Sequence, residues 1–544
     1  MFRISIFGFR IFMKEFFAIK ISGPAGTGII QAGETFSKAL NRLGFYTLVY
    51  PEYPSRIRGG DNNVQIVFSP EKVFAPQTKI DLLLAFDQQC FSNHEKEVKK
   101  GGLAVDFSKV DLKIEQDLAK NSAALGFLWK ILGLDIGALQ KQIKEDFKVN
   151  QNILELNLKA VETGYGRGEA AGLSLVGEAD KNILNLTGNE ALVKGILAGG
   201  CEFAAIYPMT PINSILTFLA QEKSIILFRP EDEIAGICSA IGASYAGKRA
   251  MVATSGGGFS LMVEGLGMAG IAEIPIVVIL GQRTGPSTGI ATYSSQADLK
   301  FAISAGQGEF PRIVLAPGDL AELYQTGTEA FNLAEVYQVP VILLADKYLA
   351  ESRFSLSEKG FQKIKVSVNR GKLFNYKNYN HYNRYQITPD GISPRAFPGQ
   401  TTFLTNSYEH DEKGFSVEDK ETRDKMMAKR MKKLAGLAGG YEVYGKGNGT
   451  ILVSWGSTKG ALLGFIKKHP EYNLIHFWRV WPFPKKAEEF LKKSKKIIVV
   501  EANFSGQFAD IIEQKIQRRV ERVLKDDGRP FFGEEIEKLI ANCK

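Results

Sequence analysis

The sequence predicts an α/β protein in which one chain carries three open parallel-sheet units. Three observations lead there. Short apolar, β-branched runs alternate with helix-like amphipathic stretches over most of the length. Glycines recur where those runs end, as in SGPAGTG and TSGGG. And 544 residues exceed what one hydrophobic core serves, so several domains are required.

The elements follow in chain order. FAIKISGPAGTG (17–28) reads as a strand, a glycine-rich turn and the start of a helix reaching about Leu43. Strands are predicted at Tyr46–Tyr50, Val64–Phe68, Ile80–Phe86 and Leu103–Asp106, with a polar loop containing RIRGG (56–60) among them. Residues 107–170 have a mainly helical pattern, and the Gly-rich, charged stretch 163–182 reads as a linker that closes a first domain, 1–182. A second domain, 183–440, has strands predicted at Phe203–Ile206, Ile225–Phe228, Ala250–Thr254, Ile276–Leu280, Arg312–Leu315 and Val339–Ala345. Its tail, 352–440, is rich in Asn, Tyr, Lys and Pro and reads as an excursion ending in a basic helix, Glu418–Ala435. A third domain, 441–544, carries strands ILVSW (451–455), NLIHF (473–477) and KIIVVE (496–501). Strand–helix–strand alternation of this kind gives parallel sheets.

Bulk properties exclude several classes. Lys+Arg 68 against Asp+Glu 59 gives a mild net charge of +9. The late clusters Lys425–Lys433, Lys485-Lys486 and Lys492–Lys496 read as solvated faces, suited to an acidic protein partner rather than to nucleic acid. Cys90, Cys201, Cys238 and Cys543 form no C-x-x-C pair, which argues against a disulfide framework, a metal knuckle or a four-cysteine cluster and fits a cytoplasmic protein. No metal ligands stand out among the five histidines. No apolar run is long enough to span a membrane. The first twelve residues, MFRISIFGFRIF, are interrupted by Arg3 and Arg10 and lack a small-residue cleavage site, so an early start ahead of Met13 or a short extra strand is expected rather than a signal.

Five motifs carry chemistry. GPAGTG (23–28) follows a strand and opens a helix, as a phosphate-cradling turn or a tight packing turn does; both readings stand. YPMTP (207–211) holds Thr210 between two prolines just after a strand. RPEDEIAG (229–236) starts a helix with Glu231, Asp232 and Glu233 and continues with Ala235, Gly236, Ser239, Ala240, Gly242 and Ala243, a small-residue face fit for close packing. A carboxylate heading such a helix can hydrogen-bond a ring nitrogen and shift its proton. Thr254-Ser255-Gly256-Gly257-Gly258 offers backbone to a ligand, and GQRTGPSTG (281–289) places one cation, Arg283, in a glycine- and hydroxyl-rich loop. All four loops of the second domain should open at the carboxyl edge of one sheet, where such folds bind ligands. An arginine with a threonine suits a small carboxylate.

These motifs resemble the pyrimidine-binding domain of the 2-oxoacid:ferredoxin oxidoreductases: YPMTP, EDEIAG, ATSGGGFSLM and RTGPSTG stand in that family's order. RYQITPDGISPRAFPG (384–399) and YEHDEKG (408–414) are similar to its alpha subunits. VSWGSTKG (453–460), WPFP (481–484) and EANFSGQ (501–507) are similar to its transketolase C-terminal-like domain. Residues 16–150 resemble its gamma domain. The resemblance implies a gamma–alpha fusion acting in oxidative decarboxylation of a 2-oxoacid, 2-oxoglutarate first, to an acyl-CoA and CO2 with thiamine diphosphate, coenzyme A and ferredoxin. It implies Glu233, with Glu231 in reserve, as the carboxylate on the thiamine pyrimidine, Thr254, Ser255, Gly256 and Gly257 beside the cofactor, and Tyr207, Thr210, Arg283, Thr284, Ser287 and Thr288 around the substrate. The family's Gly-Asp-Gly…Asn diphosphate-and-magnesium motif and its cluster cysteines are missing from this sequence, which implies a beta subunit holding Mg2+ and the iron–sulfur cluster, with the small-residue helix as a seam. Met209 and Ile212-Asn213-Ser214 depart from the family's usual wording and leave pyruvate or another 2-oxoacid open as substrate. Away from the resemblance, GPAGTG alone would fit a NAD-dependent dehydrogenase, and the chain could serve as a non-catalytic scaffold.

Overall fold

A computed structural model describes residues 16–55, 60–112, 119–170, 182–375, 381–446 and 449–543. The N-terminal MFRISIFGFRIF, residues 56–59 of RIRGG and 171–181 of the predicted linker lie outside the described residues. The strands are β1 Phe17–Pro24, β2 Tyr46–Glu52, β3 Asp61–Ser69, β4 Ile80–Ala85, β5 Val98–Asp106, β6 Ile183–Thr187 and β7 Phe203–Ile206. Then come β8 Ile226–Phe228, β9 Ala250–Ser255, β10 Ile276–Gln282, β11 Ile313–Leu315, β12 Pro340–Asp346 and β13 Arg353–Ser357. The last six are β14 Tyr441–Tyr444, β15 Ile451–Trp455, β16 Asn473–Phe477, β17 Arg479–Trp481, β18 Ile497–Glu501 and β19 Glu521–Leu524. They form three sheets, as the alternation predicts, in two compact units.

The first unit comprises 1–187, 351–363 and 531–541. Its sheet has the order β5-β4-β1-β3-β2-β13-β6 and is mixed rather than parallel throughout. β1, β4 and β5 are parallel, but β3 runs antiparallel to β1 and β2. The reason is length: residues 53–60 between β2 and β3 are too few for a crossover helix, so the chain returns as a hairpin. β13 returns from far along the chain to pair antiparallel with β2 and β6. Phe17, Ile19, Ile21, Phe36, Trp129 and Val161 belong to its core.

The second unit holds the other two sheets. β8, β7, β9, β10, β12 and β11 lie side by side and parallel, with β17 antiparallel at the far edge. β9, β10 and β12 are buried along their whole length, so AMVATS, IVVILGQ and PVILLAD read as near-continuous apolar runs. The third sheet has the order β14-β16-β15-β18-β19, parallel except for β14. One core runs through both, joining Val252, Val278 and Ile342 to Trp455, Phe477 and Phe508.

Buried charges tie the excursion down. Glu335 pairs with Arg249 at 2.8 Å, Arg370 at 2.7 Å and Arg395. Glu273 pairs with Lys429 and Lys433, each at 2.7 Å; burial works against its ionisation, yet the two lysines hold its carboxyl well below the usual carboxylate range. Arg384 donates to Gln338 Oε1 at 3.0 Å and Glu273 O at 2.7 Å, and Tyr385 packs on His410 with ring centroids 3.9 Å apart. The RYQITPDG and YEHDEKG motifs therefore do packing work in this chain. No helix among the described residues is long and apolar enough to cross a membrane.

Candidate functional site

Parallel strands open their carboxyl ends on one edge of the second sheet. Ile206 of β7 pairs with Ala253 of β9, and Leu280 and Gly281 of β10 pair with Thr254 and Ser255. The four loops singled out from the sequence therefore leave the sheet side by side.

Glu233 begins helix Glu233–Tyr245, whose N-cap Asp232 accepts from Ala235 N at 2.8 Å. The Glu233 side chain is buried and its Oε1 has no hydrogen-bond partner among the described residues. It lies against the next loop: a Cβ built on Gly258 would stand 2.4 Å from Glu233 Oε1 and 2.1 Å from Thr254 Oγ1. Only glycine leaves room for that carboxyl. Ser255 Oγ is another buried atom without a hydrogen-bond partner among the described residues. Unpaired buried polar atoms cost about 1–3 kcal/mol each, more when charged, so the place is built for a donor to arrive. Glu231 is exposed. Helix Gly256–Ile271 starts with no side-chain cap on Ser255, and Gly257 is exposed with nothing within 4 Å of its would-be Cβ. Its first N–H groups are open to an acceptor.

Thr210 is held as its flanking prolines suggest. Pro211 and Ile212 pack on β10, where a Cβ at Gly281 would come within 2.8 Å of Pro211 Cδ and 2.7 Å of Ile212 Cγ2. Buried Asn189 donates to Pro211 O at 2.9 Å and to Ser214 Oγ at 2.8 Å. Arg283 Nη1 donates to Thr210 O at 3.2 Å, which brings the two substrate candidates together. Tyr207 is 39% exposed on the same loop.

The rest of RTGPSTG closes on itself. Thr284 N donates to Tyr293 O and Ile290 N to Thr284 O, each at 3.1 Å, and the Thr284 hydroxyl is used on Ser294 O at 3.1 Å. Ser287 and Thr288 are exposed on this loop, and no hydrogen bond joins them to Thr210 or Arg283. The structure thus assembles Glu233 with Thr254–Gly258, and Thr210 with Arg283, and leaves Ser287 and Thr288 outward.

Three residues escaped the sequence reading. Gln296, fully buried, donates to Trp455 O at 2.8 Å and accepts from Ala502 N at 2.9 Å, locking the loop after β10 onto the third sheet. Asp346 ends β12 and accepts from Ser294 Oγ at 3.1 Å, with burial pushing its carboxyl up. Asp298 is half-buried; burial pushes its carboxyl up to about 6, against the pull of Arg283. Gln296 and Asp298 are marked only by following a glycine-rich loop and Asp346 only by ending an apolar strand, signals too common to use.

In the first unit GPAGTG leads into helix Ile29–Arg42, whose N-cap Gly28 has φ 76° and offers no side-chain bond. A Cβ on Gly23 would stand 2.7 Å from Ile29 Cδ1, so that glycine serves packing. Gly26 and Gly28 line an open pocket of about 620 Å³ with Gln31, Glu34, Asn62 and Asp146. The packing reading finds support in Gly23, while the acidic Glu34 and Asp146 do not suit a phosphate.

Comparison with known proteins finds relatives in sequence and in fold over nearly the whole chain. A family model described as "Pyruvate flavodoxin/ferredoxin oxidoreductase, thiamine diP-bdg" matches residues 194–429. Another, "Pyruvate ferredoxin/flavodoxin oxidoreductase", matches 18–105 and 103–167. The chain is 32% identical to a 2-oxoacid:ferredoxin oxidoreductase subunit alpha of a Sulfolobus species, over 96% of each chain. It is 27% identical to the 2-oxoglutarate oxidoreductase subunit KorA of Mycobacterium tuberculosis, over 96% of this chain and 90% of that one. Among solved structures, it is similar to the 2-oxoglutarate:ferredoxin oxidoreductase from Magnetococcus marinus with 2-oxoglutarate, coenzyme A and succinyl-CoA bound. That match has a TM-score of 0.90 and 29% identity, over 97% of this chain and 100% of that one.

Proposed function

Since this chain belongs to the 2-oxoacid:ferredoxin oxidoreductases as an alpha subunit with that family's thiamine diphosphate-binding domain, we propose that its second sheet carries half of an active site for oxidative decarboxylation of 2-oxoglutarate. The observation that carries the reading is Glu233: a buried carboxylate oxygen with no partner, wedged against Gly258 and Thr254 at the edge that also bears Arg283. The 2-oxoglutarate preference is supported by the ligand of the Magnetococcus marinus structure and by the KorA relative. Coenzyme A as acyl acceptor and ferredoxin as electron acceptor follow from the same names.

The residues fit the cofactor. Glu233 would accept a hydrogen bond from the aminopyrimidine ring and hold a proton at that ring nitrogen, and the backbone of 254–257 would help hold the cofactor. When bound, thiamine diphosphate supplies the electron sink that lets CO2 leave a 2-oxoacid. Arg283 binds the substrate carboxylate, and Thr210, fixed by Asn189 and the packing of Pro211, presents its hydroxyl beside it. Mg2+, the diphosphate contacts and the iron–sulfur cluster fall to a beta subunit, because this sequence has no Gly-Asp-Gly motif and no cysteine pair to supply them. The chain alone is then inactive.

Arg283→Ala tests the reading. An arginine–carboxylate hydrogen-bonded pair is worth about 1.5–3 kcal/mol, so kcat/KM in the complex with the beta subunit should fall about ten- to a hundredfold or more. Thr210→Val should cost less, since one neutral hydroxyl goes and the shape stays. The assay is 2-oxoacid-dependent viologen reduction, with gel filtration to check the complex. Wild-type kinetics for Arg283→Ala in an intact complex would place the substrate carboxylate elsewhere.

A further inference from the structure

A small cavity lies at the opposite end of helix Glu233–Tyr245 from Glu233. Ser244 stands near the close of that helix, Pro275 leads into β10, and Arg384, Arg395 and Thr405 reach in from the excursion; all five line the cavity. Its volume of about 10 Å³ holds one water-sized group. Among the described residues no acidic side chain lines it.

Its walls carry donors with nothing to donate to. Arg395 is 4% exposed. Its Nη2 is taken by Glu335, and its guanidinium carbon stands 5.0 Å from the Phe397 ring centre. Its Nε and Nη1 have no hydrogen-bond partner among the described residues. Thr405 Oγ1 is likewise buried and unpartnered there, the hydroxyl of neighbouring Tyr385 being taken by Ala272 O at 3.3 Å. Arg384 has both its Nη atoms bonded, to Gln338 Oε1 and Glu273 O, and adds positive charge to the same wall. The charges point the same way. Glu335 is the carboxylate paired with Arg395, yet Arg249 and Arg370 share it, so three guanidiniums meet one anion. Burial pulls the Arg395 guanidinium down to about 10, against the pull of Glu335, which leaves it charged at neutral pH. A buried cation with open N–H groups and only a shared countercharge is destabilising. Water would answer the open bonds alone; an anion would answer the bonds and the charge.

We propose that this cavity binds a monatomic anion, chloride in ordinary solution, held by Arg395 Nε and Nη1 and by Thr405 Oγ1, and that the ion fastens the excursion to the amino end of β10. Sulfate, phosphate and carboxylates are too large for it. The site stands apart from the loops of Glu233 and Arg283 and does not depend on their assignment.

Thermal unfolding of the full chain tests this, with chloride raised from zero to about 200 mM against gluconate at constant ionic strength. An ion that binds only the folded state stabilises it by mass action, so Tm should climb by a few degrees and level off as the site fills. Thr405→Val keeps the shape and the Arg395–Glu335 pair but removes one hydrogen bond to a charged ligand. It should move the half-saturating chloride concentration up about tenfold or more. Bromide should replace chloride, and a crystal grown in bromide should show an anomalous peak against Arg395. A Tm that ignores chloride overturns the proposal. So does an unchanged chloride response in Thr405→Val, which puts the binding elsewhere, and so does a bromide map with no peak at Arg395, which leaves the cavity to water. Should Thr405→Val fail to fold, the wild-type titration and the bromide map decide.

Discussion

Gly258→Ala is the sharpest probe of the cofactor side of the site. The added Cβ would sit 2.4 Å from Glu233 Oε1, 2.7 Å from its Cδ and 2.1 Å from Thr254 Oγ1. Ordinary contact starts near 3.4 Å, so the carboxyl must retreat by about 1 Å. A displacement of about 1 Å in a group that orients a reactant costs on the order of a hundredfold in rate, or about 2.7 kcal/mol. Stability should move less: crowding costs about 1–3 kcal/mol, and alanine returns up to about 1 kcal/mol as the better helix former. Turnover should therefore collapse while the melting temperature of the complex falls only slightly. Viologen reduction and thiamine diphosphate titration of the complex read the first, differential scanning calorimetry the second. Gly166→Ala is the control: it is exposed in helix Gln151–Arg167 with nothing within 4 Å, and should leave turnover alone. Gly258→Ala turning over within about twofold of wild type would refute the claim that Glu233 must stay where it is.

Other expectations follow from single residues. Glu233→Gln should abolish turnover with assembly intact, whereas Glu231→Gln, at an exposed side chain, should be near wild type; the reverse result would hand the role to Glu231. Glu335→Gln leaves Arg249, Arg370 and Arg395 facing a neutral group in a buried place, and should destabilise by about 3–5 kcal/mol in urea titration. No shift of its transition would show that the three arginines find other partners. Asp298 has a folded-state pKa raised to about 6, so its contribution to stability is fully present below the unfolded value, near pH 4, and is lost as pH rises through 6. Asp298→Asn should accordingly melt higher than wild type at pH 7, by the equivalent of about 1–3 kcal/mol, with the gap closing towards pH 4. An equal gap at both pH values would mean that burial of the charge is not the cause.

Much of this protein could be read from local chemistry. The strand cores of β7, β9, β10, β15 and β16, the cap at Asp232 and the glycine turn after Thr254 all announce themselves within a few residues. So does the loop held by Pro208 and Pro211, because dihedral limits and capping act over that range. Five strands, β6, β13, β14, β17 and β19, do not: each is short, and β13 and β17 join sheets begun far earlier in the chain. A strand's partner is decided by which face the finished sheet buries, and no window of sequence contains that. The site divides in the same way. Residue types and strand order brought Thr210, Glu233, Arg283 and the 254–258 turn to one edge. Packing alone buried Glu233 and left Glu231 exposed, turned Ser287 and Thr288 outward, and laid the Asp298 carboxylate over Gly256. Those outcomes depend on contacts such as Asn189 to Pro211 and Gln296 to Trp455, whose partners are remote in sequence and meet only when the sheets close.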